Sequence, residues 1–448
     1  GHASCRLIAP VLLTALALLV LANGSSVPTS IVWWYVLLPV IAGGLAGASW
    51  IGFRLHPDQA HERINPIVKV TGTGQNVIDT GSPAQADRLL GRVSQPNAAN
   101  LGCVEYCGRT VMISGAGGSI GSELCRQILA CSPARLVLFD MSEFALFTIE
   151  RELSALTTEQ KIDVIPILGS VADPVLVAQV LDRYNVDVVL HAAAYKHLTL
   201  VEQNPLSGIE NNVLATATLA QLSAERGVRR FVLVSSDKAV RPTSVMGATK
   251  RLAEHIVGDL ARRTTDTVFS IVRFGNVLGS SGSVVPIFQD QIAKGGPVTL
   301  TDGRATRYFM TVHEAAQLVL RAGCFAEGGE VFVLDMGAAV NVLGLARQMI
   351  REAGFSVRDA ENPQGDIEIV TTGLRQGEKL QEDLLEPDAE VSSVHHKIFR
   401  VREQTPSEIE VAATLRDLRH AMASRNSAAA IHALNLLHRS APAVAYQR

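Results

Sequence analysis

The chain has 448 residues, room for one large domain or two to three ordinary ones. Forty Lys and Arg against 43 Asp and Glu give a net charge of −3 with no long basic run, which argues against a nucleic-acid partner. Hydrophobic residues make up 47%, high for a water-soluble enzyme, and the excess is local, because no charged side chain occurs from Leu7 to Phe53.

That stretch divides into Leu7–Ala22, a polar break at 23–30, and Ile31–Phe53. The second run is long enough to span a bilayer, which needs about 20 apolar residues, and the first is marginal. Arg6 precedes the pair, Arg54 follows it, and the loop between them lacks Lys and Arg. A transmembrane hairpin over 1–53 with both ends in the cytoplasm is therefore expected. A cleaved signal peptide over Leu7–Ala22 is the second reading. The chain opens on Gly1, with no initiator Met, so a longer natural start is expected.

Residues 54–108 are polar and weakly periodic, and a linker is expected there, ordered near Ala86–Arg92. The pattern then changes sharply. Short β-rich runs at Arg109–Ser114, Arg135–Asp140, Asp163–Ile167, Asp187–Leu190, Arg230–Ser235 and Phe269–Phe274 predict strands. Helical stretches separate them at Ser122–Ala130, Glu143–Leu156, Pro174–Tyr184, Pro205–Arg226 and Gly247–Arg263. Strands alternating with helices predict an α/β fold with a doubly wound parallel sheet, the Rossmann arrangement.

After residue 285 the alternation loosens. Helices are predicted at Pro286–Lys294 and Val312–Ala322, with strands at Val298–Leu300 and Val331–Leu334. A smaller domain over 286–403 is expected to close on the Rossmann domain at 109–285. Two amphipathic helices, Glu408–Met422 and Ser427–His438, fill the tail at 404–448 and suit core packing or subunit contact. The six cysteines show no C-x-x-C pair and no metal-ligand spacing with His, so reduced thiols and no metal site are expected.

Three features carry chemistry. Gly115-Ala116-Gly117-Gly118-Ser119-Ile120-Gly121 follows an apolar strand and opens a helix. Glycines Gly115, Gly118 and Gly121 permit a tight turn whose N–H groups, with those of Ser119 and Ile120, approach a pyrophosphate. Asp140 ends the next strand, where a carboxylate bonds both ribose hydroxyls and repels a 2′-phosphate. That favours NAD over NADP. Asp173 meets an adenine amino group or simply caps the helix at Pro174. Ala192, Ala193 and Ala194 leave space for the dinucleotide, although close helix–strand packing favours alanine too.

The second feature is Ser235–Lys250, SSDKAVRPTSVMGATK. Met246 and Lys250 are four apart, on one helix face. A thioether carries no proton at neutral pH, so acid–base work falls to Ser236, Asp237 and Lys238. The third is the set RFGNVLGSSGSVVP (273–286) and GLRQGEKL (373–380).

On these motifs the chain resembles the extended short-chain dehydrogenase/reductase superfamily. It is similar above all to the membrane-anchored nucleoside-diphosphate-sugar 4,6-dehydratases of bacterial polysaccharide biosynthesis. The resemblance runs from Ala86 to Phe399 and includes LLGR (89–92), LFDMSEF (138–144) and AAAYKH (192–197). In that family methionine at the usual tyrosine position is a known variation. The large anchored relatives carry more spanning helices and an extra nucleotide-binding-like domain, for which residues 54–85 are too few.

The resemblance implies NAD, a UDP-N-acetylhexosamine substrate (foremost UDP-N-acetylglucosamine), the cytoplasmic face of a bacterial inner membrane, and a homo-oligomer. It casts Asp237 as acid and Lys238 as base, with Ser236 bonding the C4 oxygen. Lys250 would hold the nicotinamide ribose, and Met246 would be an apolar wall. Asp237 or a water near Met246 would accept the C4 hydroxyl proton. Lys196, Asn276, Ser283, Arg307 and Arg375 would contact substrate, with Glu378 orienting Arg375. Thr299 lies near the base or is a plain strand residue. A lysine base must be neutral, so the Lys238 pKa is expected to fall, pushed by Lys196, Lys250 or the nicotinamide ring. The alternatives are a C4 epimerase or reductase, and a non-catalytic membrane-tethered nucleotide-sugar binding protein.

Overall fold

The structure is a computed structural model that describes residues 88–89, 103–157 and 162–437. The expected hairpin over 1–53 and most of the linker lie outside the described residues. Among the described residues no helix is long and apolar enough to cross a membrane.

Seven strands form the parallel core of one large sheet: β1 (Thr110–Ser114), β2 (Arg135–Asp140), β3 (Asp163–Leu168), β4 (Val188–His191), β5 (Arg230–Val234), β6 (Val268–Arg273) and β7 (Glu330–Leu334). β8 (Glu390–His395) and β9 (Ile398–Arg402) extend it as an antiparallel hairpin beside β7. The order is β8-β9-β7-β6-β5-β4-β1-β2-β3. Chain direction across the sheet reverses between β1 and β4, and ligands of such sheets bind beyond the strand ends at that switch point.

Strand alternation builds a core on each face. Val111 and Ile113 of β1, with Leu136 and Leu138 of β2, pack under helices α1 (Ser119–Ala130) and α2 (Glu143–Thr157). Met112, Val137 and Phe139 point the other way, under α3 (Pro174–Tyr184), α4 (Ala215–Glu225) and α5 (Val245–Arg263). Each fully buried Leu, Ile or Phe contributes about 1.5–3 kcal/mol of transfer free energy, which fixes the strand register.

Fourteen of the 19 residues of α5 are buried. A helix buried all round needs cover on both sides. The sheet supplies one side, and the C-terminal helices Glu408–Ala423 and Ser427–Leu436 supply the other through Val411, Leu418, Ala430 and Leu434.

The strands and helices predicted up to residue 285 are present, with ends shifted by a few residues at most. Pro205–Arg226 is helical but interrupted by a π-helical turn at Glu210–Leu214. Beyond 285 the chain divides its service. Val298–Leu300, Val357–Arg358 and Ile367–Thr371 form a small sheet with its own core, while residues 330–334 and 390–402 return to the large one. Their partners are distant in sequence, so local pattern did not announce the return. The cysteine expectation also needs correction. Cys131 is disulfide-bonded, while Cys107, Cys125 and Cys324 are thiols. A disulfide follows spatial approach, which spacing along the chain does not reveal.

Candidate active site

A cleft of about 290 Å³ opens at the switch point, lined by Gly115, Gly117, Gly118, Asp140 and Ala192 to Ala194. Gly115 has φ +68°, and a Cβ there would lie 2.8 Å from the Ala193 backbone. A Cβ on Gly121 would meet the Gly115 carbonyl oxygen at 1.9 Å. Gly118 precedes α1 with no side-chain cap, leaving first-turn N–H groups for an anion. Ser119 Oγ instead contacts the loop at 279–283, accepting from Ser281 N at 3.2 Å. Ile120 packs against the core beneath.

Asp140 does two structural jobs. Its Oδ2 accepts from Gly117 N at 2.9 Å and its Oδ1 from Ser142 N at 2.8 Å. Each oxygen keeps a lone pair for a ribose hydroxyl, so the cleft fits a dinucleotide without a 2′-phosphate. Asp173 does not line this cleft. It accepts from Val175 N and Leu176 N as the N-cap of α3, the helix-cap reading.

Ser236, Asp237 and Lys238 sit just past β5, at the same edge of the sheet. The strand does not continue through them, because Asp237–Ala239 is a 3₁₀ turn capped by Ser236. The turn brings Lys238 Nζ within 3.0 Å of Asp237 Oδ1, to which Ser236 Oγ donates at 2.8 Å. Asp237 is fully buried, and its Oδ2 has no hydrogen-bond partner among the described residues.

The expected fall in the Lys238 pKa is not seen. Burial opposes the ammonium, but the Asp237 and Glu382 carboxylates outweigh it and hold the pKa above its ordinary value. The opposing cation is Arg307, a smaller influence than either carboxylate. Glu382 was absent from the sequence expectations. It lies 144 positions from Lys238, with Oε1 3.9 Å from Lys238 Nζ.

Lys250 is buried and donates to the Val234 carbonyl at 2.9 Å. Burial lowers its pKa to about 8. Met246 is buried one turn earlier on α5. Asn212, also unforeseen, lies in the π-helical turn and accepts from Tyr195 N at 2.7 Å. It donates to Tyr195 O and to Thr249 Oγ1, both at 3.0 Å, pinning the AAAYKH loop to α5. Such turns often mark functional sites, but the sequence predicted an uninterrupted helix here and carried no signal of it.

The remaining expected contacts separate. Asn276 Oδ1 accepts from Lys238 Nζ at 3.0 Å, inside the site. Ser283 precedes the helix Val284–Ala293, with its Oγ buried and unpartnered among the described residues. Lys196 is exposed on the loop after β4. Thr299 is held by Gln291 through hydrogen bonds of 2.7 and 2.9 Å, as a strand residue. Glu378 orients Arg307 rather than the Arg375 guanidinium, since Arg307 Nη2 donates to its Oε1 at 3.0 Å. Arg375 gives the Glu378 carboxylate its backbone N–H, and its guanidinium instead reaches Thr199 at 3.4 Å.

A buried ion network supports the floor. Arg273, fully buried, donates to both Glu254 oxygens at 2.7 Å and to Glu403, which Arg251 also holds at 2.7 Å. Ser235 adds a 2.6 Å bond to Glu254. Burial would raise the Glu403 pKa, but Arg273 and Arg251 hold it at about 2.

The geometry has counterparts. The capsular polysaccharide biosynthesis protein CapD of Staphylococcus aureus is 40% identical over 79% of this chain, which spans 58% of that protein's length. A UDP-N-acetylglucosamine 4,6-dehydratase (inverting) of Campylobacter jejuni is 28% identical over 63% of this chain and 79% of its own. A UDP-glucose 4-epimerase of Rickettsia conorii is 30% identical over 62% and 78%. The fold matches the dTDP-glucose 4,6-dehydratase DesIV of Streptomyces venezuelae, solved with NAD and TYD bound, at TM-score 0.51 and 24% identity, covering 61% of this chain and 88% of that one. Residues 111–403 match the polysaccharide biosynthesis protein family, and the chain belongs to that family, within the extended short-chain dehydrogenases/reductases.

Proposed function

We propose that the chain dehydrates a UDP-N-acetylhexosamine, UDP-N-acetylglucosamine foremost, to its 4-keto-6-deoxy product with NAD as cofactor. The observation that carries this is the hydrogen-bonded run Ser236–Asp237–Lys238 beside a buried methionine at position 246. NAD, when bound, supplies a hydride acceptor for C4 and a hydride donor for C6. The chain's own groups then manage the protons.

Ser236 Oγ, already bonded to Asp237 Oδ1, offers a path from the C4 hydroxyl to the carboxylate. A proton gathered there makes Asp237 the acid that releases the C6 hydroxyl as water. Lys238, held by Asp237 and Asn276, takes the C5 proton as a neutral amine and returns it. Lys250 positions the nicotinamide ribose, and Asp140 the adenosine ribose. Ser283, Arg307 and Arg375 supply the substrate contacts.

A C4 epimerase is the second reading, favoured by the Rickettsia relative. Met246 weighs against it, since epimerisation has more use for a phenol there and less for the Asp–Lys pair. Asp237→Asn and Lys238→Met test the assignment. Each should retain NAD and UDP binding while turnover falls at least about 100-fold, the scale of one acid–base group. Turnover undiminished in either variant would remove that residue from the mechanism.

A further inference from the structure

A lysine base that starts as an ammonium must lose a proton before it can act. Lys238 has such a problem, flanked by Asp237 and capped by Asn276. Asp237 is a poor store for that proton, since on the dehydratase reading it must receive the C4 hydroxyl proton through Ser236. Another acceptor is needed.

Glu382 is placed for the task. Its side chain is 6% exposed, Oε1 faces Lys238 Nζ at 3.9 Å, and Oε2 is buried without a hydrogen-bond partner among the described residues. Two other cations face it, yet each is engaged elsewhere. Lys379 Nζ, 3.8 Å from Oε2, donates to the Val240 carbonyl at 2.9 Å, and Arg307 is committed to Glu378 and the Leu380 carbonyl. Asp237 adds a like charge from the 3₁₀ turn. A buried carboxylate with an open oxygen and a neighbouring anion accepts a proton readily. Burial raises its pKa above the ordinary carboxylate value.

We propose that Glu382 is a third acid–base group of this site, which accepts the ammonium proton of Lys238 and leaves a neutral amine free to take the C5 proton. The inference rests on the dehydratase reading. An N–H bond breaks at Lys238 Nζ, an O–H bond forms on Glu382, and the reverse transfer resets the pair. The 3.9 Å gap is an ion-pair distance, so the transfer closes it by side-chain rotation or through one water.

A shared proton has a distinctive pH signature. While the pair holds one proton, the fraction of neutral Lys238 does not change with pH. Without the carboxylate, Lys238 must lose its proton to solvent, and its neutral fraction grows about tenfold per pH unit below its pKa. The experiment follows C5 deuterium incorporation into UDP-N-acetylglucosamine by the full chain between about pH 6 and 8, the range where such a base works. Wild type and Glu382→Asp should give flat profiles over most of that range, and Glu382→Gln one that climbs about tenfold per unit. Wild-type and Glu382→Gln profiles of the same shape would overturn the proposal, whatever the rates.

Infrared difference spectra of Lys238→Met against Lys238→Met/Glu382→Gln, recorded without substrate, separate this failure from failure of the dehydratase reading. With the ammonium removed, buried Glu382 beside Asp237 should hold a proton of its own near neutral pH, so the carbonyl stretch of a neutral carboxylic acid should be present in the single variant and lost in the double one. Its absence from the single variant throughout would overturn the role of Glu382 even if the chain acts on another sugar nucleotide.

Discussion

Lys238 Nζ donates to Asn276 Oδ1 at 3.0 Å, so the proposed base in its 3₁₀ turn is aimed by a residue 38 positions away, in the short strand Asn276–Val277. An amide acceptor orients the amine without adding charge. Asn276→Ala should therefore lower kcat by roughly 10- to 100-fold through misplacement, with an unchanged circular dichroism spectrum. Asn276→Asp should act differently. A further carboxylate stabilises the ammonium, so activity should fall near neutral pH and recover as pH rises. A uniform loss at every pH would show that Asn276 only positions.

Asp140 links the glycine loop and the start of α2 through Gly117 N and Ser142 N. On the proposed cofactor assignment its loss removes charge-assisted bonds to ribose, each worth about 1.5–3 kcal/mol. Asp140→Ala should weaken NAD binding by at least about tenfold and narrow the preference over NADP, as read by calorimetric titration. An unchanged preference would leave Asp140 a loop brace only.

Lys250 has its pKa lowered to about 8 by burial. A lysine depressed in this way is an ammonium below that pH and neutral above it. If its charge assists at the nicotinamide ribose, kcat/KM should decline above about pH 8. A rate profile still rising through pH 9 and beyond, about one unit past that value, would exclude a charged role for Lys250.

The Arg273–Glu254–Glu403 network fastens residues just after β9 to the helix that carries Met246 and Lys250. Arg273→Met leaves two buried carboxylates with fewer partners and should cost about 3–5 kcal/mol in urea unfolding. The pH dependence has a definite sign. The Glu403 pKa is depressed from 4.5 to about 2, so its contribution is complete above 4.5 and is lost as pH falls towards 2. Melting temperature should drop across that interval, and less steeply in Glu403→Gln.

Much of this was legible in the sequence, for reasons that differ by region. The strand–helix alternation up to residue 285 is local and periodic, and Gly115–Gly121 with Asp140 carries its own geometry. Ser236, Asp237 and Lys238 stand together because they are adjacent in sequence. Glu382 was hidden because it reaches Lys238 from a loop 144 residues on, in a stretch with other acidic residues and no periodicity. The partner of Glu378 was misread for a related reason: Arg375 is near in sequence, whereas Arg307 is near in space. The rise in the Lys238 pKa depends on two carboxylates, only one of which adjoins it in sequence.

The most direct test of the central claim is proton NMR of the full chain with UDP-N-acetylglucosamine in D₂O. The account predicts a new 6-deoxy methyl signal, deuterium at C5 and no accumulation of NADH, because the hydride taken from C4 returns to C6. Conversion to the C4 epimer with C6 intact, or steady build-up of NADH, would contradict it.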